Sequence, residues 1–383
     1  MKKIVPLILI SILALQTLQA QEDSISYERR PFQFTFLFPP LSTNGAKNAQ
    51  IVNDVSLNLF LGVSGGVEAF EGATFLNIDQ YYMHGAQLAG FGNIVGGSVS
   101  GAQVAGFFNV NGTDVKGAQV AGFVNVAGDS LDGFQGAGFI NVANNAKKGV
   151  QAAGFGNVAG EGKTQFQGAG FFNVAEEVKG AQVAGFINVA GNVKGFQLAG
   201  FLNICDSIDG VPLALISVVK KNGYRKIGFT ASEVQYAKLS YKMGVKQLYT
   251  IYSFGKPMGP GSRWMFGGGF GTEFDLSEKM IFNIEGTVHQ ELWIGSTASP
   301  GFLHIDRLNL YNSLKFLFGW NMDDKVAIHI GPTFNVSVAN SNPDMGQMPW
   351  NEIPPYSFYN HTKNNYEQTN IQMWVGLQGS IHF

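Results

Sequence analysis

Six histidines, at positions 84, 289, 304, 329, 361 and 382, and a single cysteine, Cys205, are the side chains of this 383-residue chain best suited to hold a metal or attack a carbonyl. No His-Glu-x-x-His run and no Cys/His group at zinc spacing gathers them, so no metal or other cofactor is expected. His289 and His329 each fall on the polar side of an alternating segment, where a histidine is ordinarily lumen or surface lining. Glu273 and Glu285 flank a short turn at 275–279 and could meet as paired acids, although polar lining is the commoner role. Gly267-Gly268-Gly269-Phe270-Gly271 is glycine-rich, but a phosphate loop needs a helix N-terminus behind it, and this run alternates like a strand. Asp114, Asp129 and Asp132 sit in polar connectors without the clustered acids of a calcium site. The chain reads as no enzyme.

The elements that would position such residues are unusual in composition. Charged residues make up 14% of the chain, against roughly 25% in ordinary soluble proteins. With 25 Lys and Arg against 27 Asp and Glu, the formal charge is −2, which argues against nucleic acid as a partner. Hydrophobic content of 45% is too high for a disordered chain with so little charge. Thirteen prolines without a Gly-X-Y period exclude collagen, and 50 glycines with 32 phenylalanines fill the composition instead. Residues 1–20 have the form of a secretory signal: Lys2 and Lys3, an apolar core from Ile4 to Leu15, and Leu18-Gln19-Ala20 before the cleavage point. That core is about 12 residues, short of the about 20 a spanning helix needs. One cysteine allows no intrachain disulfide. The expected division is a signal at 1–20, an N-terminal segment with the first strand or strands at 21–65, a glycine-rich repeat region at 66–220, and C-terminal barrel strands at 221–383.

The repeat is G-x-Q-x-A-G-F-x-N-V, with Phe at 91, 107, 123, 139, 155, 171, 186 and 201; the spacing is 16 residues for five intervals and 15 for the last two. So short a period implies repetitive all-β construction. Alternate residues Gln103, Ala105, Phe107 and Asn109 form a nearly constant set; the opposite set is apolar or Gly, and its neighbours trade volume, as in Phe134 with Gly136. Charges between 85 and 204 fall only in the connectors, such as Asp114 and Lys116, or Lys147 and Lys148. Charge-free stretches of about ten residues, tilted by about 40°, would stand about 25 Å tall, the height of a membrane barrel's apolar band. The primary expectation is therefore an outer-membrane-type antiparallel β-barrel with repeat-derived strands. The alternative is a β-solenoid of about 16-residue coils, bent near Gly106 and carrying Gln and Asn in amide ladders, followed by an eight-stranded barrel.

From Tyr224 onward alternation is plain. Ile371, Met373, Val375, Leu377 and Ile381 oppose Gln372, Trp374, Gln378, Ser380 and His382, while short connectors (275–279, 321–324) alternate with long ones (255–262, 292–306, 339–369). Tryptophans at 264, 293, 320, 350 and 374 lie mostly near strand ends, as an interfacial belt would. The ending Trp374 to Phe383 resembles the terminal strand of Gram-negative outer-membrane barrels, whose last aromatic is read by the barrel-insertion machinery. Repeats such as Gly117-Ala118-Gln119-Val120-Ala121-Gly122-Phe123 resemble a bacterial surface-repeat family of unassigned function, over about 66–220. Outer-membrane lipid and the insertion machinery are the partners these likenesses imply, and the long loop 339–369 offers a place for a surface ligand. The expected role is structural or a passive pore, with Gln87, Asn93, Gln103, Asn109, Gln119, Asn125, Gln135, Asn141, Gln151 and Asn157 lining the interior for uncharged hydrophilic solutes. In-facing phenylalanines would narrow such a pore. The competing role is adhesion or protein–protein interaction at the cell surface.

Overall fold

The computed structural model describes residues 27–37, 39–257, 263–293, 309–323, 326–341, 356–363 and 368–383. The signal segment, His304, Trp350 and most of the loop at 339–369 lie outside these residues. The chain divides into two units, Met1–Gly210 and Val211–Phe383.

The first unit is a parallel β-solenoid. In each repeat, a short strand such as Phe108–Asn111 and a longer one such as Val115–Ala121 stack on the same elements of the neighbouring coils. Register is held by identity: Gln103 lies opposite Gln119, and Asn109 opposite Asn125. Of the two arrangements the sequence leaves open, the solenoid followed by an eight-stranded barrel is the one formed. The repeats supply no barrel strands, because each pairs in parallel with its own next copy. Stacking begins ahead of the recognisable repeats, with Glu28–Thr35 parallel to Ile51–Asn58 and that strand parallel to Leu61–Ala73.

The bend falls at the expected glycine. After Ala105, Gly106 and Phe107 form a corner, so Phe107 and Phe108 both lie outside and the inward alternation restarts at Asn109. The constant set therefore does not share one face: Gln103, Ala105 and Asn109 point in, whereas Phe107 is 42% exposed. Strict period-2 counting fails there because a two-residue corner interrupts the pleat. Ten such rings, Phe60, Phe75, Phe91, Phe107, Phe123, Phe139, Phe155, Phe171, Phe186 and Phe201, stack with centroids 4.8 to 5.2 Å apart and planes within 18°. That interval is the spacing of paired strands. At the other end of the coil the interior is apolar, built from Met83, Val95, Val99, Val115, Ala127, Leu131 and Ala143.

Glycine makes this stacking dense. Gly101, Gly117 and Gly133 have φ of 141°, 132° and 148°, and a Cβ on Gly117 would lie 2.0 Å from the carbonyl oxygen of Gly101. The volume trading seen in the sequence is physical as well, since a Cβ on Gly136 would lie 2.9 Å from the Phe134 ring that covers it. Gly117→Val should therefore cost about 3 kcal/mol or more, from left-handed strain plus overpacking. Thermal unfolding followed by circular dichroism checks this, and an unchanged midpoint would refute such close coil packing.

The second unit holds a closed antiparallel barrel. Its strands are Tyr224–Ser232, Gln235–Val245, Leu248–Pro257, Arg263–Asp275, Met280–Trp293, Asn309–Asn321, Ala327–Ser341 and Gln368–His382, each paired with the next. Gly228↔His382 pairing closes the ring, and Ile227 and Phe383 exchange backbone hydrogen bonds of 3.0 and 2.8 Å. A further strand, Tyr359–Lys363, arises within the long loop and pairs with Thr369–Met373. The pleat fixes two faces. Phe229, Phe266, Phe318, Ile330 and Leu377 point outward, each about half exposed, while Lys238, Lys242, Glu285, His289, Lys315 and His382 are buried inside.

Candidate functional site

Two polar interiors concentrate the chemistry-bearing side chains, and each belongs to one unit. In the solenoid the interior is amide. Gln87, Asn93, Gln103, Asn109, Gln119, Asn125, Gln135, Asn141, Gln151 and Asn157 are all buried to 0% exposure, inside the coils and not around a barrel lumen. Each Gln side chain donates toward the N-terminus, as Gln119 Nε2 does to Gln103 Oε1 at 2.9 Å, and each Asn donates the other way, as Asn109 Nδ2 does to Asn125 Oδ1 at 2.9 Å. Every second Asn proton is spent on a backbone carbonyl across the interior, such as Asn109 to Val120 at 2.9 Å. The two columns thus run as antiparallel chains of aligned amide dipoles, an arrangement in which each bond polarises the next. With the amides committed to one another, they present no donors or acceptors to a solute.

The Gln column ends on acid. Glu71 takes the Gln position in its coil, and Gln87 Nε2 donates both to Glu71 Oε2 at 2.7 Å and to Asp79 Oδ2 at 2.6 Å. Asn58 Nδ2 reaches Glu71 Oε1 at 3.1 Å, and Ser64 donates to Asp79. Burial pushes both carboxyls up, and the nearby Glu71 pushes Asp79 further. A raised folded-state pKa gives stability that is complete below the unfolded value of about 4 and lost as pH rises through the folded one. The solenoid should therefore melt higher at pH 5 than at pH 8. Glu71→Gln, which continues the amide column and removes one of two adjacent charges, should flatten that difference and add about 1–3 kcal/mol at pH 8. Melting curves of both proteins at the two pH values decide it. On the outer side of the same coils, Glu68 accepts from Tyr82 at 2.7 Å, from Arg29 at 3.0 Å, and lies 3.0 Å from His84 Nδ1. The Tyr82 hydrogen bond first, then His84, holds Glu68 below the usual carboxylate range, while burial and Glu68 push Tyr82 up to about 12.

The barrel interior is ionic. Lys242 pairs with Glu285, whose Oε1 also accepts from Tyr249 at 3.0 Å. Asn283 Nδ2 bridges Tyr249 OH at 2.8 Å and Glu273 Oε2 at 3.3 Å, and Tyr224 donates to that same Glu273 oxygen at 2.8 Å. Glu273 and Glu285 are therefore joined through Asn283 and Tyr249, and each has a lysine, Lys246 lying 3.4 Å from Glu273. Nearer the other rim, Glu233 accepts from Trp374 Nε1 and the Leu377 backbone N–H, both at 3.0 Å, and from Asn335 at 3.2 Å. Trp374 is thus a lumen residue at 0% exposure, whereas Trp320, at 52%, does lie outside near a strand end. The void bounded by Lys238, Lys242, Ser253, Glu285, Lys315 and His382 is about 10 Å³, room for about one water.

No protein-family model matches the chain, and no curated protein is similar to it. His329 and His382 lie with ring centroids 4.2 Å apart and planes tilted by 44°, and among the described residues no three His, Cys, Asp or Glu side chains gather to hold a metal ion. Two features escaped the reading of the sequence. Ser253 Oγ and His289 Nε2 are 2.7 Å apart, reaching each other across Gly267 of the strand between them, but among the described residues no side chain bonds His289 Nδ1 to orient it. Gly62-Val63-Ser64-Gly65-Gly66 has the spacing of a nucleophile elbow, yet it lies inside the strand Leu61–Ala73 with Ser64 fully buried on Asp79. An elbow exposes its serine at a strand-to-helix turn. Both serines are buried, Ser64 at 0% and Ser253 at 4% exposure.

Proposed function

We propose that the barrel anchors the chain in the outer membrane of a Gram-negative bacterium, exported by the segment 1–20, and that the solenoid is a repeat module displayed there for interaction. One observation carries the reading: the barrel's polarity is inverted, with phenylalanines and aliphatics outside and Lys242, Glu285 and Lys315 sealed inside. A soluble barrel buries the opposite set, whereas this is the distribution of a strand-built membrane span. The terminal strand supports it too. Phe383 projects outward at the seam, its ring 6.2 Å from Phe229, at the position the insertion machinery reads in the barrels this ending resembles.

The ion-paired lumen favours a closed anchor over the passive pore, because Lys242, Glu285, Tyr249, Asn283 and Glu273 bind one another across it and the void beside Lys242 and Glu285 has room for about one water. In planar bilayers the purified protein should insert without steady unit currents. A reproducible unit conductance would restore the pore, and a monodisperse monomer obtained without detergent would remove the membrane anchor altogether. Interaction at the surface, including a ligand at the loop 339–369, is then the role left to the rest of the chain.

A further inference from the structure

We infer that the phenylalanine corner of the solenoid is a lipid-inserting edge, which dips into one leaflet of the membrane that the barrel occupies. This rests on the anchor reading above and adds a partner for the first unit. From Phe60 to Phe186 the corner rings are 37% to 45% exposed, and Leu88, Val104 and Val120 beside them are 42% or 43% exposed. At one strand spacing per step the edge is about 40 Å long, well beyond the apolar patches that soluble monomers ordinarily leave bare.

Four features select hydrocarbon as what covers it. The rings stack face on face, so within the ladder only their edges point outward, and a sugar or a base finds no free aromatic face to lie on. Charge is segregated along the coil: the strand Val115–Ala121 begins at the end carrying Asp114, Lys116 and Asp132 and finishes at the corner, where no ionisable group stands. The depth fits, since the four to six residues from corner to charged end span about 13–20 Å, close to the about 15 Å of one hydrocarbon leaflet. Finally, the corner leaves no backbone donor bare. Gly122, Phe123 and Val124 N–H groups bond Ala105 and Phe107 carbonyls of the preceding coil at 3.2, 2.9 and 3.0 Å. Irregular backbone enters lipid only when its polar groups are met within the protein.

The test is spin-label accessibility in the full-length protein reconstituted into phosphatidylethanolamine/phosphatidylglycerol vesicles, in a Cys205→Ala background. Labels at Phe139→Cys and Val120→Cys report the edge, Lys148→Cys the charged end, and Phe318→Cys the barrel exterior. Edge labels should collide with oxygen in strong preference to a water-soluble nickel complex, matching Phe318→Cys and reversing the preference at Lys148→Cys. Edge labels open to nickel, or shielded from both reagents as under a second copy or a protein partner, would overturn the inference while Phe318→Cys still reads lipid. If Phe318→Cys also reads water, the anchor itself has failed. Val120→Cys lies off the ring ladder, so it reports even if Phe139→Cys perturbs the stack.

Discussion

Glu285→Ala is expected to destabilise the barrel by about 3–5 kcal/mol, the cost of stranding a buried charge. Lys242, at 1% exposure, would lose its counter-ion, and the Tyr249 hydroxyl its acceptor. Glu273, joined to Glu285 through Asn283 and Tyr249, does not substitute, because it is engaged by Tyr224 and Asn283. The readout is the temperature at which the folded, fast-migrating form is lost on a detergent gel. Lys242→Met combined with Glu285→Leu should recover most of the loss, since a buried pair exchanged for packed apolar groups is often neutral. If the single change proved as mild as the double, the lumen would have to be wet and wide enough to hydrate Lys242, and the closed-anchor reading would fall with it.

The barrel was the more legible half of the chain. Alternation places His329, Trp374 and His382 on the correct face, because the strands that carry them pair without a bulge. What alternation could not give is which lumen groups meet. Ser253 and His289, or Glu233 and Trp374, are 36 and 141 residues apart and become neighbours only through strand register. In the solenoid the interior Gln and Asn are readable as a set, yet the same alternation points the phenylalanines inward, where the structure has them outside. One corner of two residues reverses the parity, and a glycine before an aromatic reads equally well as a bulge, a covered glycine or a turn. Nothing local separates a lone strand from one coil either. The missing information was pairing direction, and it lies in Asn109↔Asn125, a contact of identical residues one repeat apart.

That same contact sets the second large effect. Asn125→Leu, nearly isosteric, is expected to cost about 4 kcal/mol, from two or three buried polar groups losing partners at about 1–3 kcal/mol each. Asn125 Nδ2 donates to Gly136 O at 2.8 Å and Asn141 Oδ1 at 2.9 Å, while its own oxygen accepts from Asn109 at 2.9 Å. Position discriminates a coupled column from independent bonds. Asn203 takes one ladder bond, from Asn188 at 3.0 Å, and gives its proton to Gln197 O at 3.1 Å. Asn203→Leu should therefore cost about half as much. Chemical unfolding of the full chain, followed by hydrogen exchange of the coils on either side, measures both. In a quasi-one-dimensional array each coil is stabilised by its neighbours, so the central change should loosen coils in both directions and the terminal change in one. Equal costs and equal spread would mean that the amides act singly, and the alignment of their dipoles would then have no mechanical consequence.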